Sequence, residues 1–172
     1  MRDVAKHPWI LGGLRITRAA IERVHEEARD AYGRDEESCG VLVGPASDAA
    51  LCDVVVPFQN RAAKLHALDP VTYPRTARTY FDLDPLKFQR AVDAGERDGR
   101  PVKVLYHSHL DVGAYFSETD AAAATMGGTE PTHDVAYLVT SVIEGKVDRH
   151  ELFVWDPEAR AFAASAIEVL AG

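Results

Sequence analysis

The chain has 172 residues, 47% hydrophobic and 27% charged, with 27 acidic against 19 basic side chains and a formal net charge of -8. That length buries a real core in one domain (1–172) without disulfide or metal staples, and the acidic balance excludes a surface built to follow a phosphate backbone, so no nucleic-acid partner is expected. No apolar run reaches membrane-spanning length and no basic start leads into an apolar segment, so no membrane contact is expected and the cytoplasm is the expected compartment.

In chain order, residues 1–13, with Pro8 and two glycines, read as a loose N-terminal segment. Leu14-Arg15-Ile16 is a short strand, and Thr17 can cap a helix in which Ala20, Ile21, Val24 and Ala28 recur at helical spacing until Gly33 ends it. Cys39 to Gly44 is an apolar strand and Leu51 to Phe58 a second one paired beside it; the two cysteines, Cys39 and Cys52, read as buried thiols. Residues 59–81 lose all periodicity and read as a long loop or insertion, either a lid or binding element or a plain surface excursion. Its basic residues Arg61, Lys64, Arg75 and Arg78 suit a solvated loop.

Asp84 caps a helix with Pro85 at its first position, running to Asp98-Gly99. Pro101 to Tyr106 is a strand apolar on both faces, which suits a central position, and it ends at His107-Ser108-His109. Ser117 to Asp120 opens a helix, Val135 to Ile143 is a strand, and His150 to Trp155 returns beside it after a turn. Ala161 to Val169 is a strand or a short helix, its alanines leaving the period ambiguous.

Chemistry concentrates where the strand ending in His107-Ser108-His109 gives way to the helix opened by Ser117 and Asp120. Residues two apart on a strand share a side, so His107 and His109 can face one ion if the extended conformation persists that far. Asp120 would add a carboxylate, and three such ligands leave a coordination position open, as in catalytic zinc sites. A capping box accounts for Ser117 and Asp120 equally well, and a carboxylate that ligates a metal is not expected to make a full reciprocal cap as well. Glu36 and Glu37 both precede the Cys39 strand, and spacing alone does not separate them as the acid/base carboxylate that metal-assisted hydrolysis needs. Two histidines and a carboxylate also describe the facial site of non-haem iron enzymes, and a retained fold serving only as a protein-interaction module is a further alternative.

Glu37-Ser38-Cys39-Gly40, followed far downstream by His107-Ser108-His109, Ser117 and Asp120, resembles the signature of the JAMM or MPN-plus metalloproteases, a glutamate and then H-[ST]-H-x7-S-x2-D. The resemblance runs from the helix after Thr17 to the strand ending at Trp155 and is similar to the prokaryotic branch, which acts on ubiquitin-like or sulfur-carrier proteins. It implies an α/β fold with a curved mixed sheet flanked by helices. It implies zinc held by His107, His109 and Asp120, Glu37 as general base and then acid, and Ser117 as a donor to the oxyanion, with Ser108 structural. The implied reaction is hydrolysis of a peptide or isopeptide bond after the C-terminal Gly-Gly of such a carrier; a general zinc peptidase is the alternative. Leu110 and Phe116 stand where prokaryotic members often have proline, which bears on loop stiffness and substrate fit.

Overall fold

The protein is described here by a computed structural model covering residues 2–172. The N-terminal segment, expected to be loose, is docked. A 3-10 turn at Pro8–Leu11 buries Trp9 and Ile10, and the Trp9 indole donates to the Asp134 carbonyl at 2.7 Å. Strand β1 (Leu14–Ile16) leads into α1 (Arg18–Gly33), where the Thr17 hydroxyl accepts from the Ala20 amide at 3.2 Å as anticipated. Strand β2 (Cys39–Val43) follows.

The stretch expected as one strand from Leu51 to Phe58 is two, β3 (Leu51–Cys52) and β4 (Val54–Phe58), lying in different sheets. Asp53 divides them: its amide donates to the Val43 carbonyl at 3.0 Å and its carboxylate pairs with Arg100. Aspartate suits such a break better than a strand interior. Residues 59–81 are also not a plain loop, because α2 (Ala62–Leu68) lies within them. That helix is too short, and buries too little beyond Ala62, for a helical period to stand out in the sequence.

The helix capped by Asp84 is α3 (Pro85–Arg97), and the Asp84 carboxylate accepts from the Leu86 and Lys87 amides. Strand β5 (Val102–Leu110) is buried throughout and α4 (Glu118–Thr125) follows it. Strands β6 (Ala136–Ile143), β7 (Lys146–Asp156), β8 (Ala161–Ser165) and β9 (Ile167–Val169) complete the chain. The ambiguous Ala161–Val169 stretch is thus two strands that step from one sheet to the other at Ala166.

The main sheet is mixed, in the order β4-β2-β5-β6-β7-β8, with only β5 and β6 parallel; a small parallel sheet, β3-β1-β9, adjoins it. On one face Leu42, Val104, Tyr106 and Leu138 pack against Ala20, Ile21 and Val24 of α1. On the other, Val41, Leu105, Tyr137 and Val139 pack with Phe88 of α3 and Ala124 of α4. The two-residue period of β5 therefore carries Leu105, His107 and His109 to the face toward α3 and α4, and Tyr106 and Ser108 to the face toward α1. Among the described residues no helix is long and apolar enough to cross a membrane.

Lys103 is fully buried on β5, and its ammonium donates to the carbonyls of Pro45, Asp48 and Leu51 at 2.9, 2.8 and 2.8 Å. It holds the connection between β2 and β3 as a bound cation would. Lys103→Met should lower the unfolding free energy by about 3 kcal/mol, since three carbonyls then lose a charged donor in a dry site. Denaturant midpoints measure this, and an unchanged midpoint would show that the loop re-solvates freely.

Candidate active site

Strand β5 stays paired with β6 through both histidines, His107 opposite Val139 and His109 opposite Ser141, so the extended conformation does persist. The His107 and His109 Nε2 atoms lie 3.2 Å apart. Asp120, in the first turn of α4, places Oδ1 3.1 Å from His107 Nε2 and Oδ2 3.2 Å from His109 Nε2. All three side chains are buried.

The reciprocal cap at Ser117 and Asp120 is complete, and Asp120 faces both imidazoles as well. Ser117 Oγ accepts from the Asp120 amide at 3.0 Å, and the Ser117 amide donates to Asp120 Oδ2 at 3.1 Å while both imidazoles face the same carboxylate. A carboxylate has two oxygens and about four lone-pair positions, enough for both roles. The cap fixes the carboxylate against rotation. Burial by itself would raise the Asp120 pKa, but the His107 and His109 imidazoles outweigh it and hold this carboxyl well below the usual range.

These residues fit a divalent cation. His109 Nδ1 lies 2.8 Å from the Gly113 carbonyl, which can only accept, so Nδ1 carries a proton and a cation at the cluster would meet the lone pair of Nε2. Two imidazole nitrogens and a carboxylate then converge within 4.8 Å, a buried donor set that a cation satisfies. Phe81 stacks on the His107 ring at 4.5 Å between centroids and Tyr115 meets the His109 ring edge-on at 5.2 Å, fixing both imidazoles and limiting water. Cys39 is outside this set; it is buried, uncrosslinked, and its thiol is pushed up to about 12 by burial.

The pairing of β2 with β5, Cys39 opposite His107, brings the glutamates to the site. The Ser108 amide donates to the Ser38 carbonyl at 3.1 Å and the Ser38 amide donates to Ser108 Oγ at 2.7 Å, extending the ladder past the end of β2. Glu37, two residues before Cys39, falls on the same face as His107 and is 5% exposed. Glu36 instead pairs with Arg34 at 3.5 Å, so the fold separates two acids that spacing did not. Burial pushes the Glu37 carboxyl up to about 9, with the charge of Asp120 adding to the effect and Arg75 opposing it. A dication at the adjacent cluster reverses that balance and favours the carboxylate.

Two further groups hold the site and were missed in the sequence. Buried Asn60 donates to the carbonyls of Glu37 and Tyr80, both at 3.0 Å, and accepts from the amides of Ala62 and Asp82 at 2.9 and 3.1 Å. Every hydrogen-bonding direction of its amide is used to tie both ends of the 59–81 segment to Glu37. On the surface, Arg78 pairs with Asp35 and Asp111, and the Tyr32 hydroxyl donates to Asp111 at 3.0 Å, linking the glutamate loop to the loop after His109. A lone Asn after a strand and an Arg in an aperiodic stretch carry no local signal, because their partners are distant in sequence.

A family model described as prokaryotic homologs of the JAB domain matches residues 17–156. The chain is 30% identical over 140 residues to the desampylase of Haloferax volcanii, covering 80% of this chain and 86% of that protein. It is 34% identical over 120 residues to the CysO-cysteine peptidase of Mycobacterium tuberculosis, covering 68% of this chain and 65% of that protein. Its fold is similar to that of a Desulfitobacterium hafniense protein solved in solution, with a TM-score of 0.66 at 23% identity over 92% of this chain and 94% of that one.

Proposed function

This chain belongs to the family of prokaryotic homologs of the JAB domain, and on that premise we propose that it is a zinc-dependent peptidase or isopeptidase that cuts after the C-terminal Gly-Gly of a ubiquitin-like or sulfur-carrier protein. The observation that carries the reading is the buried convergence of His107, His109 and Asp120 beside Glu37. The names of the desampylase and the CysO-cysteine peptidase support the carrier class. Zinc suits two imidazoles and one carboxylate; bound there it supplies Lewis acidity for the scissile carbonyl and acidifies water.

The protein's own groups do the rest. Glu37 takes one proton from the attacking water and delivers it to the departing nitrogen, so the carbonyl carbon gains the water oxygen as the C–N bond breaks. Ser117 uses its hydroxyl oxygen as a cap acceptor, which leaves its O–H free to donate to the negative oxygen that develops. Phe81 and Tyr115 keep the imidazoles in place throughout.

The segment that leads into the site exposes Leu68 and Val71, 73% and 90% accessible, and apolar groups so presented suit contact with a carrier's globular body. Removing residues 64–78 whole is a poor test of that contact, because Ala77 accepts from the Glu37 amide at 2.7 Å and Arg78 braces the site. Val71→Asp leaves those bonds alone. The decisive experiment offers the zinc-loaded protein a panel of ubiquitin-fold carriers, ubiquitin and bacterial sulfur carriers among them, each extended beyond Gly-Gly. Mass spectrometry should show cleavage after the second glycine, lost on chelation, restored by zinc, and weakened by Val71→Asp. If every carrier stays intact while unrelated short peptides are cut, the protein is a general zinc peptidase; if nothing is cut, it is a binding module.

A further inference from the structure

A cavity of about 510 Å³ opens beside the metal cluster, with His107 and Asp120 in its wall. Phe81, Leu83, Phe88, Leu105, Phe116 and Tyr137 are among its lining residues, an apolar composition that suits an apolar ligand group, with ample room for a bulky side chain. Glycines cannot fill it. Its charged lining is almost all spoken for: Asp82 pairs with Arg61 at 2.7 Å, and Asp120 and His107 belong to the cluster. Arg75 differs. It is exposed on the cavity rim and, among the described residues, makes no ion pair or side-chain hydrogen bond.

We propose that this cavity receives the bulky apolar side chain of a single residue joined to the carrier's terminal glycine, and that Arg75 holds that residue's free carboxylate. The proposal rests on the hydrolase reading above and deepens it by naming the leaving group. On the acyl side the Gly-Gly tail offers no side chain, so the first one able to enter the cavity belongs to the residue beyond the scissile bond. The backbone brings Arg75, on the cavity rim, close to Glu37. Arg75 is two residues before Ala77, whose carbonyl accepts from the Glu37 amide, and Glu37 is the group that protonates the departing nitrogen. Hydrolysis then adds hydroxyl to the glycine carbonyl carbon and a proton to the amine, releasing one free amino acid.

The role of the two features separates by chemistry. An apolar cavity discriminates by size, about tenfold to a hundredfold for each step in filling it, whereas a guanidinium recognises a carboxylate by a paired, charge-assisted contact that an amide cannot make.

The test uses the carrier cut best in the panel above, extended by Phe, Leu, Ala or Asp, and by Phe with its carboxylate amidated. Phe and Leu should be released with kcat/KM about a hundredfold above Ala and further above Asp. Amidation should cost the wild type about tenfold and Arg75→Gln nothing further. Equal release of all extensions, or an amidation penalty unchanged in Arg75→Gln, overturns the proposal while leaving the peptidase reading intact. Calorimetry with free phenylalanine and phenylalanine amide reads binding without turnover. The wild type should bind the acid about tenfold tighter than the amide, Arg75→Gln should not, and Ala124→Phe, which crowds the cavity, should bind neither. If neither compound binds the wild type, the cavity is not the leaving-group site even where no carrier has been cut.

Discussion

Glu37→Gln should retain its full complement of metal and lose hydrolysis by a factor of about a hundred to ten thousand, the range that a positioned general base contributes. The amide matches the acid in shape and so keeps the packing of a side chain only 5% exposed, but it cannot accept a proton from water. Glu37 is outside the converging donor set, which is why metal content should not change. Glu36→Gln, at an ion pair with Arg34, should be mild. Ser117→Ala should fall between, losing roughly 3 to 4 kcal/mol of transition-state stabilisation and about 1 kcal/mol of folding stability with its cap. Near-normal turnover of the Glu37 variant at saturating substrate rejects the base assignment.

The same variant has an independent signature in the metal-free protein. Burial raises the Glu37 carboxyl from 4.5 to about 9, so between those values the folded state holds a proton that the unfolded state has released. Stability should therefore fall as pH rises from about 4.5 through 9. Glutamine has nothing to ionise. Metal-free Glu37→Gln should gain on the wild type as pH rises through that window, and denaturant curves at several pH values would register the gap.

His109→Ala should reduce bound metal from near one ion per chain to a small fraction and abolish activity with it. The remaining His107 and Asp120 offer two donors where a stable catalytic site uses three, and the Gly113 carbonyl loses the imidazole that it orients. The variant should nevertheless fold, because the two packed faces of the sheet are built from residues that do not need the ion. Metal analysis and circular dichroism together decide this, and equal metal in variant and wild type refutes the ligand assignment. Asp120→Ala is predicted to be worse than His109→Ala in stability alone, since it also removes half of the reciprocal cap on α4.

What the sequence determined by itself was whatever depends on neighbours along the chain. The helical spacing in α1, the Asp84-Pro85 start of α3, the apolar Val102, Val104, Leu105 and Tyr106 of β5 and the Ser117–Asp120 cap are local patterns, and each stands in the element expected, β5 running on through the histidines to Leu110. The spacing of His107, His109 and Asp120 was legible for the same reason: a strand period and a first helical turn fix where side chains point.

Only the tertiary structure decided what depends on pairing across the chain. The break at Asp53 and the division of the last strand follow from a second sheet whose partners lie far apart in sequence, and Trp9 docks through a bond to the distant Asp134 carbonyl. The choice between Glu36 and Glu37, left open by spacing, follows from the ladder that carries β2 past Ser38 onto Ser108, because moving one residue along an extended chain turns a side chain to the opposite face. The same cause hides Asn60 and Arg75 from a linear reading. One is a fully used amide bridging the two ends of the 59–81 segment to Glu37, and the other a cation at the rim of a cavity whose walls come from α3, β5, α4 and β6; neither arrangement exists until those elements pack.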